Sequence, residues 1–274
     1  MSHVDPNTIT APNGRPFSTE WRMAGVVDVR PFDLGFGALG VPPAILLAYD
    51  IEGFESAAFA RLGIDIPPSI ERSVRKRQAE FLMGRLAATE ALASLQDATV
   101  GAASAAKDPS DNPTQTRQIP IGPSREPVWP PGIAGSITHA GPYAAAVATN
   151  ATGLRGIGVD IEQRIAPETR RSVEEMVLHP AEHSLLRAMT GEAPYEMLLA
   201  IAFSAKESFF KGSFATVGTY FDFSAVDITK LDIPGGTVDV VLTRSLAEGL
   251  PEGRTFTLRT HFIDADTVLT SFAW

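Results

Sequence analysis

Phe203-Ser-Ala-Lys-Glu-Ser-Phe-Phe-Lys211 is the stretch around which the rest of the chain can be ordered. At a helical turn of about 100° per residue, Leu199, Phe203 and Phe210 fall on one face, and Glu207 falls with them. Lys211 sits one turn further on, within reach as an i,i+4 partner. A carboxylate in an apolar stripe is costly unless a cation meets it. An internal Glu207–Lys211 ion pair on a half-buried helix would satisfy this, and so would a reactive site. Upstream, Gly158-Val-Asp-Ile-Glu162 tilts the reading toward a site. Strand alternation places Gly158, Asp160 and Glu162 on one face and Val159 and Ile161 on the other. Two carboxylates at that spacing repel each other unless a cation lies between them. A hard divalent ion such as Mg2+ does this, taking one or two protein carboxylates together with substrate phosphates. The alternative is a solvent-facing edge strand.

Further toward the N-terminus, residues 134–140 and 143–148 read as a β-hairpin turning at Gly141-Pro142. Alternation sets Ser136 and Thr138 on one face and Ile137 and His139 on the other. His139 ends a strand of small residues, where a side chain can reach a ligand. Residues 69–95 read as one helix, with Ala79, Leu82, Leu86 and Leu92 at helical spacing. Its start is basic, with Arg72, Arg75, Lys76 and Arg77, followed by Arg85. Each cation singly fits a solvated face, but the cluster in an acidic chain points to an anion site. Arg77 and Arg85, eight residues apart, project from roughly one side, and Arg125 is a further candidate for that site.

The remaining segments carry less chemistry. Residues 1–24 read as an irregular arm, 26–50 as short strands including 44–48, and 96–118 as a flexible surface loop. Residues 119–122 and 126–132 read as extended and turn-rich, and 167–189 as one or two helices. There, His179-Pro-Ala-Glu-His183 has two histidines at i,i+4. The lack of a third ligand and Pro180 at a helix start favour a structural role over zinc. Residues 195–214 form the helix of the opening stretch, and four alternating runs at 223–228, 238–243, 255–262 and 267–272 predict an antiparallel meander.

The chain has 274 residues, 44% hydrophobic and 20% charged, with a formal net charge of −9. That balance fits a soluble globular protein with a sizeable core and argues against a general nucleic-acid binder. With no cysteine, disulfides, thiol nucleophiles and Cys-based zinc sites are excluded. The polar N-terminus lacks the apolar core of a signal peptide, and no apolar run approaches the ~20 residues of a membrane span. The expectation is a cytoplasmic protein.

Three segments in order, Gly135-Ser-Ile-Thr-His139, Gly158-Val-Asp-Ile-Glu162 and Phe203-Ser-Ala-Lys-Glu-Ser-Phe-Phe-Lys211, resemble the 4'-phosphopantetheinyl transferases, in particular the group like enterobactin synthase component D. The helix Arg75-Lys-Arg-Gln-Ala-Glu-Phe-Leu-Met-Gly-Arg85 and the run Pro127-Val-Trp-Pro-Pro-Gly132 are also similar to that group, so the resemblance spans about residues 70–215. It implies an α/β (α+β) fold. This would be a monomeric pseudo-dimer of two similar halves, each a small, mostly antiparallel sheet on a long helix, with the active site in the cleft between them. The expected division is residues 1–150 and 151–274. It implies Mg2+-dependent transfer of the phosphopantetheine arm of coenzyme A to a serine of an apo acyl or peptidyl carrier protein, releasing adenosine 3',5'-bisphosphate. Carried over residue by residue, Asp160, Glu162 and Glu207 would hold Mg2+. Arg77, Arg85, His139 and Lys211 would bind coenzyme A phosphates, with Thr138 beside the adenosine end. Lys206 and Arg125 join the expected coenzyme A-binding set, and Glu207 and Lys211 are the expected catalytic residues. Residues 1–68 match only loosely.

This chemistry agrees with the residues. Attack of a serine hydroxyl on a pyrophosphate needs charge neutralisation, in-line positioning and proton removal. The proton acceptor is either Glu207 or a water on the metal. Lys206 and Lys211 flank Glu207 and are expected to keep it ionised. Two rivals share these residues: a Mg2+-dependent coenzyme A or nucleotide pyrophosphohydrolase, and a non-catalytic coenzyme A-binding, carrier-docking module. No nucleic-acid or membrane partner is expected.

Overall fold

The computed structural model describes residues 19–102 and 118–274, excepting the side chains of 97–102. It divides into two compact units between Asn150 and Ala151. The first contains helix α1 (Thr19–Met23), strands β1 (Val26–Phe32) and β2 (Ala44–Tyr49), helices α2 (Ala58–Leu62), α3 (Pro68–Glu71) and α4 (Arg75–Ala102), and the hairpin β3 (Ala134–Ala140) and β4 (Tyr143–Thr149). Its strands form an antiparallel sheet in the order β1-β2-β4-β3. Four of the seven residues of strand β4 are alanine, and the small side chains of Ala144, Ala146 and Ala148 share one core with Ala79, Leu82, Leu86 and Ala87 of α4. Small residues at alternate positions let a long helix lie close to the sheet.

The helix expected over 69–95 is two helices. It breaks at Arg72-Ser73-Val74, where Ser73 Oγ donates to Ile70 O at 2.6 Å. Gln78 Nε2 then donates to Glu71 O at 2.8 Å and Ser73 O at 3.1 Å. Side chains that capture the carbonyls at a helix end make a stop as firm as a glycine would. At its other end α4 runs on to Ala102, so the first seven residues of the segment expected as a loop are helical, and 103–117 lie outside the described residues. Likewise, α1 is a helical turn within the segment read as an irregular arm, of which residues 1–18 lie outside the described residues.

The second unit opens with strand β5 (Ile157–Gln163), followed by helices α5 (Arg170–Val177), α6 (Pro180–Ala188) and α7 (Tyr195–Val217). It ends with strands β6 (Val226–Asp232), β7 (Thr237–Leu242), β8 (Thr255–Asp264) and β9 (Thr267–Ala273). The last four strands are the expected meander, and β5 adds antiparallel to β9 to give the order β5-β9-β8-β7-β6. Helix α7 shares the core of this sheet through Leu198, Ala202, Ala205 and Phe209. Within the opening stretch the central ring is Phe209, 4.8 Å from Phe272 and 5.7 Å from Phe256. Phe203 and Phe210 are half-buried flanks, with Phe203 edge-on to Phe223. No helix among the described residues is long and apolar enough to cross a membrane.

Candidate active site

Strand β5 and helix α7 meet backbone to backbone. A Cβ on Gly158 would collide with the carbonyl oxygen of Ser208, and one on Gly156 with that of Gly212. Behind this contact the Ser204 hydroxyl donates to the backbone carbonyl of Asp160 at 3.1 Å and lies 2.9 Å from Thr270 Oγ1, which donates to Ser208 Oγ at 3.1 Å. Together the missing side chains and the hydroxyl chain hold Asp160 opposite the last turns of α7. Gly158→Ala is expected to pry the two elements apart, at the ~1–3 kcal/mol typical of overpacking. A thermal melt should show the loss, and an unchanged midpoint would mean that the close approach is not constraining.

Asp160 is 4% exposed, and its Oδ1 accepts from Lys211 Nζ at 2.6 Å. The partner of Lys211 is therefore Asp160 on the neighbouring strand, rather than Glu207 one turn back. Burial alone would lower the Lys211 ammonium, but Asp160, Glu207 and Glu162 outweigh it and hold its pKa above the usual lysine range. Glu162 is pushed up to about 8, by burial and then by Asp160, with Lys211 opposing and Glu207 adding. Glu207 is raised by burial and by Asp160, again against Lys211. Asp160, Glu162, Glu207 and Lys211 thus form one electrostatic group in which the Lys211 ammonium faces three carboxylates. Of the two lysines expected to keep Glu207 ionised, Lys211 opposes the upward push of burial and Lys206 takes no part.

Lys206 also leaves the expected coenzyme A-binding set. It is 1% exposed, and its Nζ donates to Glu182 Oε2 and Val177 O, each at 2.8 Å. Glu182 is equally buried; it accepts from the backbone of His179 at 2.7 Å, closing a capping box, and from Ile228 N at 2.7 Å. Lysines 206 and 211 stand five residues apart on one helix and so face different surroundings. The sequence signal for Glu182 is its place three residues after the helix N-cap. His179, Glu182 and Asp227 form a tight group of metal-ligand type. Glu182 already serves two backbone amides and an ammonium, and His179 Nδ1 meets Asp227 Oδ1, so the group is a structural knot.

The basic cluster lies in the first unit. Arg77 Nη1 stands 2.9 Å from His139 Nε2, joining α4 to β3. Arg85 is 9% exposed and lies over the Phe81 ring at 4.5 Å. Burial and the charge of Arg77 push its guanidinium down to about 10, and its Nε is buried without a hydrogen-bond partner among the described residues. Arg75 turns away to the carbonyls of Glu52 and Phe54, 2.7 Å from each. Thr138 is 3% exposed on the strand face opposite His139 and so stands apart from the cluster. Arg125 is exposed at a positive φ of 70° in the turn where Gly122 O accepts its backbone amide. Among these cations stands Glu80, an acidic residue of α4 that meets Lys76, Arg77 and His139 and has no distinguishing spacing in the sequence.

Residues 67–149 match the 4'-phosphopantetheinyl transferase N-terminal domain, and residues 156–254 match the 4'-phosphopantetheinyl transferase superfamily. Enterobactin synthase component D of Escherichia coli (strain K12) is 34% identical over 165 residues, 60% of this chain and 68% of that protein. The chain belongs to the 4'-phosphopantetheinyl transferase superfamily. The 4'-phosphopantetheinyl transferase PptT of Mycobacterium tuberculosis (strain ATCC 25618 / H37Rv) is 30% identical over 207 residues, 72% of this chain and 81% of that protein. The transferase Npt of Nocardia iowensis is 30% identical over 171 residues, covering 62% and 66%. This phosphopantetheinyl transferase is therefore an enzyme that takes coenzyme A as substrate and moves the phosphopantetheine group to a carrier protein. Its basic cluster falls within the first matched segment and its carboxylates within the second.

Proposed function

We propose that Asp160, Glu162 and Glu207 bind Mg2+ and that Arg77, Arg85 and His139 bind the phosphates of coenzyme A, with Lys211 between the carboxylates and the reacting phosphate. The observation that carries the metal reading is the charge imbalance around Lys211. Three carboxylates of two elements share one ammonium, and two of the three have raised pKa values. An all-oxygen donor set with an excess of negative charge suits a hard divalent cation. For the phosphates, the support is Arg85, a buried guanidinium whose Nε has no hydrogen-bond partner among the described residues and which faces another cation. Such a group is costly until an anion meets it.

In this reading, Mg2+ supplies neutralisation of the pyrophosphate charge that grows as the serine oxygen attacks. Arg77, Arg85 and His139 orient the nucleotide end through charge-assisted bonds, and Lys211 counters the charge on the transferred phosphate. Glu207, on the α7 face beside Asp160, takes the serine proton. The P–O bond to the leaving adenosine bisphosphate breaks as the serine ester forms.

The direct test is intact-mass spectrometry of an apo acyl or peptidyl carrier protein incubated with the enzyme, coenzyme A and Mg2+. The phosphopantetheinyl adduct is expected with wild type and absent with Asp160→Ala. Near wild-type turnover by Asp160→Ala at limiting Mg2+ would remove the metal assignment. Release of adenosine bisphosphate without a carrier would instead favour the pyrophosphohydrolase. A charge-assisted contact is worth roughly 1.5–3 kcal/mol, so Arg85→Ala is expected to weaken coenzyme A binding about tenfold or more. Calorimetry showing wild-type affinity in Arg85→Ala and Arg77→Ala alike would take both out of the site.

A further inference from the structure

We propose that Glu80 is a positioning residue of the phosphate site, and that because of it His139 takes up a proton when a phosphate oxygen binds at Nε2. The proposal rests on the assignment of Arg77 and His139 to coenzyme A phosphate.

The argument starts from the ring nitrogens. Arg77 Nη1 lies 2.9 Å from His139 Nε2. A guanidinium can only donate, so Nε2 accepts, and the proton of the neutral ring sits on Nδ1. Glu80 Oε2 lies 3.8 Å from that Nδ1. The same carboxylate stands 3.5 Å from Arg77 Nη1 and, through Oε1, 4.0 Å from Lys76 Nζ. Helix α4 thus sets Arg77 and Glu80 against the ring, with Lys76 beyond Glu80, and the charge of Arg77 acts in turn on Arg85 two turns further along. From β2, Tyr49 faces the charge of Glu80: burial and that carboxylate push the phenol up to about 12, so it stays neutral.

A phosphate dianion offers only lone pairs, so its contact with Nε2 requires a proton there. A neutral ring could move its proton from Nδ1 to Nε2, but the bare Nδ1 lone pair would then face the Glu80 carboxylate. The imidazolium avoids this, keeping one N–H toward Glu80 and giving the other to the phosphate. Glu80 therefore disfavours the neutral route and stabilises the charged one. The proton comes from solvent, and Arg77 is released from Nε2 to the ligand. An amide at position 80 can either donate or accept, so it would accommodate both tautomers and remove the need for the proton.

The test is calorimetric titration of coenzyme A into the full chain, in two buffers of different ionisation enthalpy, at about pH 8. There a free imidazole, with pKa about 6.5, is mostly neutral. A phosphate monoester, with second pKa about 6, is already dianionic and releases nothing that would mask uptake. Wild type is expected to take up about one proton per coenzyme A. Glu80→Gln is expected to bind with little or no uptake, and His139→Ala to bind about tenfold more weakly, also without uptake. The proposal fails if wild type binds without uptake, or if Glu80→Gln takes up as many protons as wild type. Should Glu80→Gln not fold, equal uptake by wild type and His139→Ala would refute it. Wild-type affinity in both Arg77→Ala and His139→Ala would instead overturn the phosphate-site assignment beneath it.

Discussion

Glu207→Gln should abolish most transfer while leaving the protein at least as stable as wild type. The amide keeps the size and hydrogen-bonding reach of the carboxylate but removes its charge and basicity. On the roles proposed for Glu207, loss of a general base typically costs 10²–10⁴-fold in rate, and loss of a metal ligand would add to that. On the stability side, burial and Asp160 raise the Glu207 pKa in the folded protein. A group whose pKa rises on folding favours the fold only when protonated, so at neutral pH its ionised form is a burden that a neutral amide lifts. Single-turnover transfer at saturating Mg2+ and coenzyme A, set beside the thermal midpoint, separates the alternatives. A large drop in midpoint with an unchanged single-turnover rate would return Glu207 to a purely structural role.

Lys206→Ala should show the opposite pattern, collapsing stability first. Its ammonium is the only cation seen on Glu182 among the described residues, and both side chains are 1% exposed. Removing one partner of such a pair leaves a buried charge uncompensated, at about 3–5 kcal/mol, which lowers a melting midpoint by on the order of 10 °C. Replacing both partners, as in Lys206→Met with Glu182→Gln, should recover much of the loss, because no buried charge is then left alone. Thermal melts of the single and double variants measure this. If Lys206→Ala melts like wild type and loses affinity for coenzyme A, then Lys206 belongs with the phosphate ligands after all.

The contrast between Lys206 and Lys211 marks where the sequence stopped being legible. Periodicity located the helix, and alternation put Asp160 and Glu162 on one strand face, because both patterns depend only on local geometry. Which of two lysines on one helix meets which carboxylate depends on segments far away in the chain. Lys211 is claimed by Asp160 and Lys206 by Glu182, and no spacing within the stretch encodes that choice. The break between α3 and α4 was hidden for a related reason. The carbonyls there are capped by Ser73 and Gln78, ordinary polar residues that give no stop signal of the kind Gly or Pro gives. Alternation separated Thr138 from His139 correctly. The resemblance set Thr138 beside the adenosine end of coenzyme A and His139 at its phosphates, and the strand turns the two side chains to opposite faces.

The direct seam between β5 and α7, where glycine carbons lie against carbonyl oxygens, has a consequence for how this enzyme can change. Most catalytic groups are held through a layer of intervening side chains, and a substitution in that layer shifts them by fractions of an ångström. Here there is no such layer between the strand that carries Asp160 and Glu162 and the helix that carries Glu207 and Lys211. Spacing within the proposed reactive group is therefore set by the main-chain contact and the short hydroxyl chain behind it, with little exposure to drift in the surrounding core. Adaptation to a new carrier has little leverage at this seam. It would have to come from the rim, by altering which serine can reach the seam and leaving the seam itself unchanged.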